Sequence, residues 1–272
     1  MLLSPLPAAL TAALLLLTVG AGRAQPAPDT ARPPRPADVS LLTFEKIAAD
    51  CAHPFGLREG QHLEYRLQDG KGKTTGTWRY RVLKISTDTS TPKKSDPVQT
   101  TKVLLKSGLY DPTNHLMAQQ DLTYFCRRDT TFTDGLGHIN YGSLKSFRDR
   151  RLAYQGTPLA WPHQPAAGSN LADGGVVVQV SSPSVAIAKV ITTLRQRKVL
   201  AGGPVSVTVP AGTFNCYAVE SQREVSTAAR ADLVLKSSGR EVDYYDPAVG
   251  IIKTETYDKG GKLVQTRVLT KR

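Results

Sequence analysis

The sequence is poor in the residues from which most metal sites and hydrolytic centres are built. It has three cysteines and five histidines in 272 residues, no Cys-x-x-Cys, and histidines scattered from His53 to His163. Transition-metal sites need such ligands at close spacing, so neither a metal nor another cofactor is expected. Gly-x-Ser-x-Gly is also missing. Ser143 follows Gly142 without a neighbouring histidine, which leaves serine-hydrolase chemistry unsupported. Asp134-Gly135-Leu136-Gly137 and Asp173-Gly174-Gly175 read as turns, because no helix opening on Lys-Ser/Thr follows to cradle a phosphate. Acids are scarce relative to bases, 23 against 35, for a net charge of +12. Beyond the first two dozen residues no apolar run is long enough to cross a membrane as a helix.

The N-terminus supplies the one long apolar stretch. Residues 8–21 carry no charge, and Gly22-Arg23-Ala24 places small residues before a cut at Gln25. That length suits the core of a signal peptide better than a membrane span, so residues 1–24 are expected to be a signal peptide. No cysteine follows the apolar core directly, the first being Cys51, so lipid modification there is not expected. The Pro-rich residues 25–38 have almost no apolar bulk and read as a disordered spacer. Residues 39–272 have the composition of a single β-rich domain.

Export makes the compartment periplasmic or secreted, where thiols oxidise. Three cysteines then allow at most one internal bridge. In an up-and-down sheet Cys51 and Cys126 fall at the same end, before the first strand and after the fourth. Cys126 with Cys216 is the rival pairing. The basic groups, among them Arg127-Arg128, Arg148 to Arg151 and Arg195 to Lys198, suit a solvated surface or the anionic head groups of an envelope. No nucleic-acid motif accompanies them.

Alternation of period two dominates the chain. Leu63, Tyr65 and Leu67 share one face of a strand, with His62, Glu64 and Arg66 opposite; Trp78, Tyr80 and Val82 repeat the pattern after the turn Asp69-Gly70-Lys71-Gly72. Residues 99–106 and 117–125 form a second pair around Asp111-Pro112-Thr113-Asn114. Ser143 to Leu152 reads as a short helix, and Trp161 to Gly175 as loop. Strands then recur at 176–180, 186–198, 205–209, 214–225, 240–245, 251–257 and 263–269. A sheet of that length must curl or stack to bury its apolar face. The expectation is a curved antiparallel sheet, as a half-barrel or open barrel, with one or two short helices.

Several strings resemble a known family. Asp50-Cys51 with Pro54 to Gly60 and Leu63-Glu64-Tyr65 forms its N-terminal signature, and Val209-Pro210-Ala211-Gly212-Thr213-Phe214-Asn215-Cys216-Tyr217 its most recognisable segment. Tyr244-Tyr245, Val249 to Glu255 and Asp258 to Leu263 complete it. The chain resembles the TapB-type exported bacterial proteins, related to a domain-of-unknown-function family with a curved antiparallel sheet. The resemblance implies an exported β-protein in the fold neighbourhood of the LolA and LppX lipoprotein carriers, and brings no catalytic residue with it.

The functional expectation is a non-catalytic envelope protein that holds an apolar or amphipathic, lipid-like ligand on the concave side of its sheet, since curved sheets enclose cavities where side chains do not fill them. Leu63, Tyr65, Trp78 and Tyr80 are the candidate wall residues, with ordinary core as their other role. The alternative is a protein-binding or scaffolding module with a filled core.

Overall fold

The computed structural model describes residues 50–90, 97–139, 150–182, 186–230 and 233–272. Fourteen strands are found among them: β1 (His62–Asp69), β2 (Thr74–Ser90), β3 (Val98–Tyr110), β4 (Leu116–Arg127), β5 (Thr130–Thr133), β6 (Arg151–Thr157), β7 (Leu159–Pro162), β8 (Gly174–Ser181), β9 (Ala186–Val199), β10 (Val205–Val209), β11 (Gly212–Arg230), β12 (Leu233–Asp246), β13 (Gly250–Asp258) and β14 (Leu263–Lys271). Helical structure in these residues is confined to 3-10 turns at Pro54–Gly56 and Gly135–His138. The expected helix over 143–152 falls on residues 143–149, outside the described set, and on Arg151 and Leu152, which begin β6. The expected signal peptide and spacer also lie outside it.

All strands belong to one antiparallel sheet, nearly closed into a barrel, in the order β6-β8-β9-β11-β12-β13-β14-β1-β2-β3-β4-β5-β7, with β10 paired to β11 off this path. The two edge strands, β6 and β7, are separated in the chain by Pro158 alone, so the chain itself brings the sheet's edges together. The Gly135–His138 turn packs at this seam. A side chain at Gly135 would run into the carbonyl oxygens of Gly175 and Thr157, so only glycine allows the approach. Asp134 caps the turn, its Oδ1 accepting from the Leu136 amide at 3.0 Å.

The period-two reading of the strands matches their burial. Leu63, Tyr65, Trp78, Tyr80 and Val82 are buried, and Gly76 stands opposite Leu67 in the β1–β2 hairpin. The turn between these strands closes as its sequence dictates, with Asp69 Oδ1 accepting from the amides of Lys71 and Lys73, each at 2.9 Å. A bulge between Val82 and Lys84 shifts the alternation by one residue, so that Lys84 faces solvent and Ile85 packs against the core.

The interior is divided. One apolar cluster joins Phe55 and Leu57 to the inner faces of strands on both sides of the barrel; a smaller one gathers Val176, Val178, Val180, Val190 and Val225 around Ile139. Trp161 and Tyr245 meet at 5.2 Å between ring centroids, and Tyr245 donates to the Pro162 carbonyl at 2.9 Å, which fastens edge strand β7 across the interior. Cys51 and Cys126 form a disulfide with Cα atoms 5.1 Å apart, tying the chain ahead of β1 to the end of β4.

Candidate functional site

Polar side chains, not apolar ones, occupy part of the barrel wall. Along β12 the residues at alternate positions include Glu241 and Asp243, both almost fully buried. The register sets Ser221 of β11 opposite Glu241, Thr254 of β13 opposite Asp243, and Arg267 of β14 opposite Thr254. Four strands thus build one inward polar ladder, and strand alternation requires all of it to share a face.

These side chains bind one another. His138, on the seam turn, meets Glu241 through Nδ1 at 2.9 Å, and Arg223 Nε lies 3.3 Å from the other carboxylate oxygen. Thr254 donates to Asp243 at 2.6 Å and accepts from Arg267 at 2.9 Å. Arg267 also donates to the Gly137 carbonyl at 3.4 Å, and its guanidinium lies 5.7 Å from the Tyr65 ring and 5.6 Å from the Trp78 ring, within cation–π range.

The field separates the two carboxyls. Burial alone would raise both. For Glu241 the hydrogen bond and charge of His138, with Arg223 and Arg267, overcome it and hold the group down at about 2. Asp243 goes the other way: burial and the Glu241 charge push its carboxyl upward against the pull of Arg267. Arg197 stands beyond Asp243 in the same interior, stacked on Trp161 at 4.7 Å, and burial lowers it to about 10.

Beside this ladder lies a cavity of about 270 Å³. Arg223, Glu241, Arg267 and His138 form its polar wall, and Leu67, Trp78, Leu109, Ile139 and Val264 its apolar wall. A second void of about 30 Å³, room for one water, is bordered by Leu63, Tyr65 and Tyr80. Of the wall residues expected from sequence, Trp78 therefore borders the larger space and the other three border the smaller one within packed core.

Arg223, Glu241, Asp243, Thr254 and Arg267 were not singled out by the sequence. Their signal is faint: two acids at alternate positions in a strand of otherwise ordinary β pattern. Alternation shows that Glu241 and Asp243 share a face but not that this face points inward. Cys216 is buried, its thiol pushed up to about 12 by burial, and so is unreactive. Cys51, Cys126 and His163 come within 4.8 Å of one another, but the two sulfurs are joined and offer no thiolate.

Three comparisons bear on this geometry. A family model described as DUF3108-like matches residues 58–269. A protein from Parabacteroides distasonis, provisionally named a lipoprotein, has a similar structure with a TM-score of 0.63 at 21% identity, over 82% of this chain and 99% of its own. A protein from Bacteroides fragilis, provisionally named as exported and given a YmcC-like fold, reaches 0.61 at 18% identity, over 81% and 99%. No curated protein matches the sequence. At these identities the two structures speak for the fold.

Proposed function

The chain belongs to the DUF3108-like family, and from that premise we propose that it is a non-catalytic, exported cell-envelope protein that holds an amphipathic, lipid-like ligand inside its barrel. The observation that carries this reading is the 270 Å³ cavity, apolar along Leu67, Trp78, Leu109, Ile139 and Val264 and charged along Arg223, Glu241 and Arg267. A wall of two chemistries suits a ligand of two chemistries. The charged groups at the cavity are engaged with one another, Glu241 with His138 and Arg223, which suits holding a ligand's polar end.

Export rests on the apolar residues 8–21 and the small residues before Gln25, with the periplasm or the cell exterior as the compartment. The provisional names of the two structural relatives point the same way. The basic balance of the chain fits residence beside anionic envelope surfaces, and the strings at 50–65 and 209–217 favour kinship with the TapB-type proteins.

Native mass spectrometry of protein purified from the exported fraction, with organic extraction of what is bound, tests the reading. A stoichiometric lipid-like adduct on a chain beginning at Gln25 is the expected result. A bare mass, under conditions in which a lipid carrier keeps its cargo, would turn the reading toward a protein-binding module.

A further inference from the structure

Resting on the binding reading above, we propose that the ligand is an acidic amphiphile whose head is a single carboxylate, seated against Arg267 and Arg223, with its aliphatic part along Leu67, Trp78 and Leu109. The charges bordering the cavity do not balance. Two guanidiniums face it, and among the described residues Glu241 is the one carboxylate that does. Both Glu241 oxygens are already engaged, one by His138 at 2.9 Å and the other by Arg223 at 3.3 Å. Arg267 is left with Asp243 at 4.0 Å, behind the wall, whose Oδ1 also accepts from Thr254.

Unmet hydrogen bonds mark the same place. Among the described residues, the buried side-chain atoms without a partner are Arg267 Nε, Asp243 Oδ2, Ser221 Oγ and Arg197 Nε. They belong to strands β9, β11, β12 and β14, which lie within one run of the sheet that β13 completes. Folded proteins leave few such atoms, and these four make the interior behind the cavity wall an unusually polar one. Arg267 is the one that also borders the cavity, and only 9% of its side chain is exposed.

Chemistry narrows the occupant. A cation would be set against two guanidiniums, and a neutral head would leave the buried Arg267 with Asp243 at 4.0 Å as its counter-charge. Among anions, a carboxylate presents two coplanar oxygens that fit the edge of a guanidinium. The apolar wall opposite takes the chain, and 270 Å³, near the lower end of small-molecule sites, sets it short to medium in length.

The test is calorimetric titration of the delipidated mature protein with octanoate, octanol, octylammonium, acetate and inorganic phosphate. Octanoate is expected to bind at least about tenfold more tightly than each of the others, the worth of one charge-assisted hydrogen bond. Octanol binding as tightly as octanoate would overturn the anionic head while leaving an apolar binding site. Acetate binding equally well would keep the anion and remove the amphiphile, and with it the lipid-like reading. Phosphate displacing octanoate at equal concentration would overturn the carboxylate assignment. No heat with any probe would overturn the proposal outright. Arg267→Met should weaken octanoate by about tenfold or more and Arg267→Lys should restore part of it. Should Arg267→Met fail to fold by circular dichroism, Arg223→Gln, at a site 18% exposed, is expected to show the same selective loss for octanoate.

Discussion

Two acids two positions apart on one strand face the same interior yet are driven in opposite directions, and this difference can be read out as stability against pH. Glu241 is held at about 2 against its ordinary 4.5. An acid depressed on folding stabilises the fold above its unfolded value and loses that contribution as pH falls from about 4.5 to about 2. Glu241→Gln removes the charge while leaving Arg223 and Arg267 in place, so it should cost about 3–5 kcal/mol at neutral pH. Urea titrations at several pH values should also show the variant flat across that acid window, where the parent weakens. Asp243 carries the reverse sign. Its carboxyl is raised, so ionising it as pH climbs above 3.8 costs stability. Asp243→Asn keeps an oxygen for the Thr254 hydroxyl and is expected to lose clearly less at pH 7 than Glu241→Gln does. Equal losses would show that the two carboxyls are not separated as described.

At the scale of the element, the seam is the place where the barrel is most easily tested. The Gly135–His138 turn holds His138 against Glu241 while its first residue packs on the backbone of β8 and the end of β6. Gly135→Ala has no room and should lower stability by about 1–3 kcal/mol, the usual range for overpacking, or more. Gly137 is its internal control. It sits in the same turn with nothing within 4 Å of an added Cβ, and it borders the cavity. Gly137→Ala is therefore expected to leave the thermal midpoint nearly unchanged while weakening octanoate binding. A similar loss of stability in both variants would mean that the turn, not the close approach at Gly135, is what the substitution disturbs. The long strands β11 and β12 contribute differently. They carry the polar ladder at one end and exposed Leu233 and Leu235 at the other, on the same face by alternation.

For the molecule as a whole, the Cys51–Cys126 bridge closes a separation of 75 residues that includes β1 to most of β4. Chain-entropy arguments put such a loop at about 4 kcal/mol. Cys51→Ser should lower the urea midpoint by a comparable free energy, and peptide mapping should recover Cys216 unpaired. Recovery of a Cys126–Cys216 peptide would reverse the pairing. The +12 charge bears on solubility and on meeting anionic surfaces rather than on the fold.

Strand identity, hairpin turns and the mostly-β class were determined by the sequence itself. Period-two alternation at Leu63, Tyr65, Trp78 and Tyr80 states which residues share a face, and Asp-Gly chemistry at 69–72 and 258–261 states where the chain reverses. These are local properties, carried within a few residues. What lay beyond it is non-local. Closure depends on Pro158 bringing β6 and β7 together and on a glycine at 135 packing against backbone some twenty and forty residues away. The site depends on which way a face points. Glu241 and Asp243 on a solvated face would be ordinary surface acids; only the closed sheet turns them inward, desolvates them, and sets Arg223, Arg267 and His138, more than a hundred residues from Glu241 in the chain, within bonding distance. Alternation fixes a face, and tertiary structure decides whether water or protein lies against it, which is why the strands were legible in the sequence and the charged interior was not.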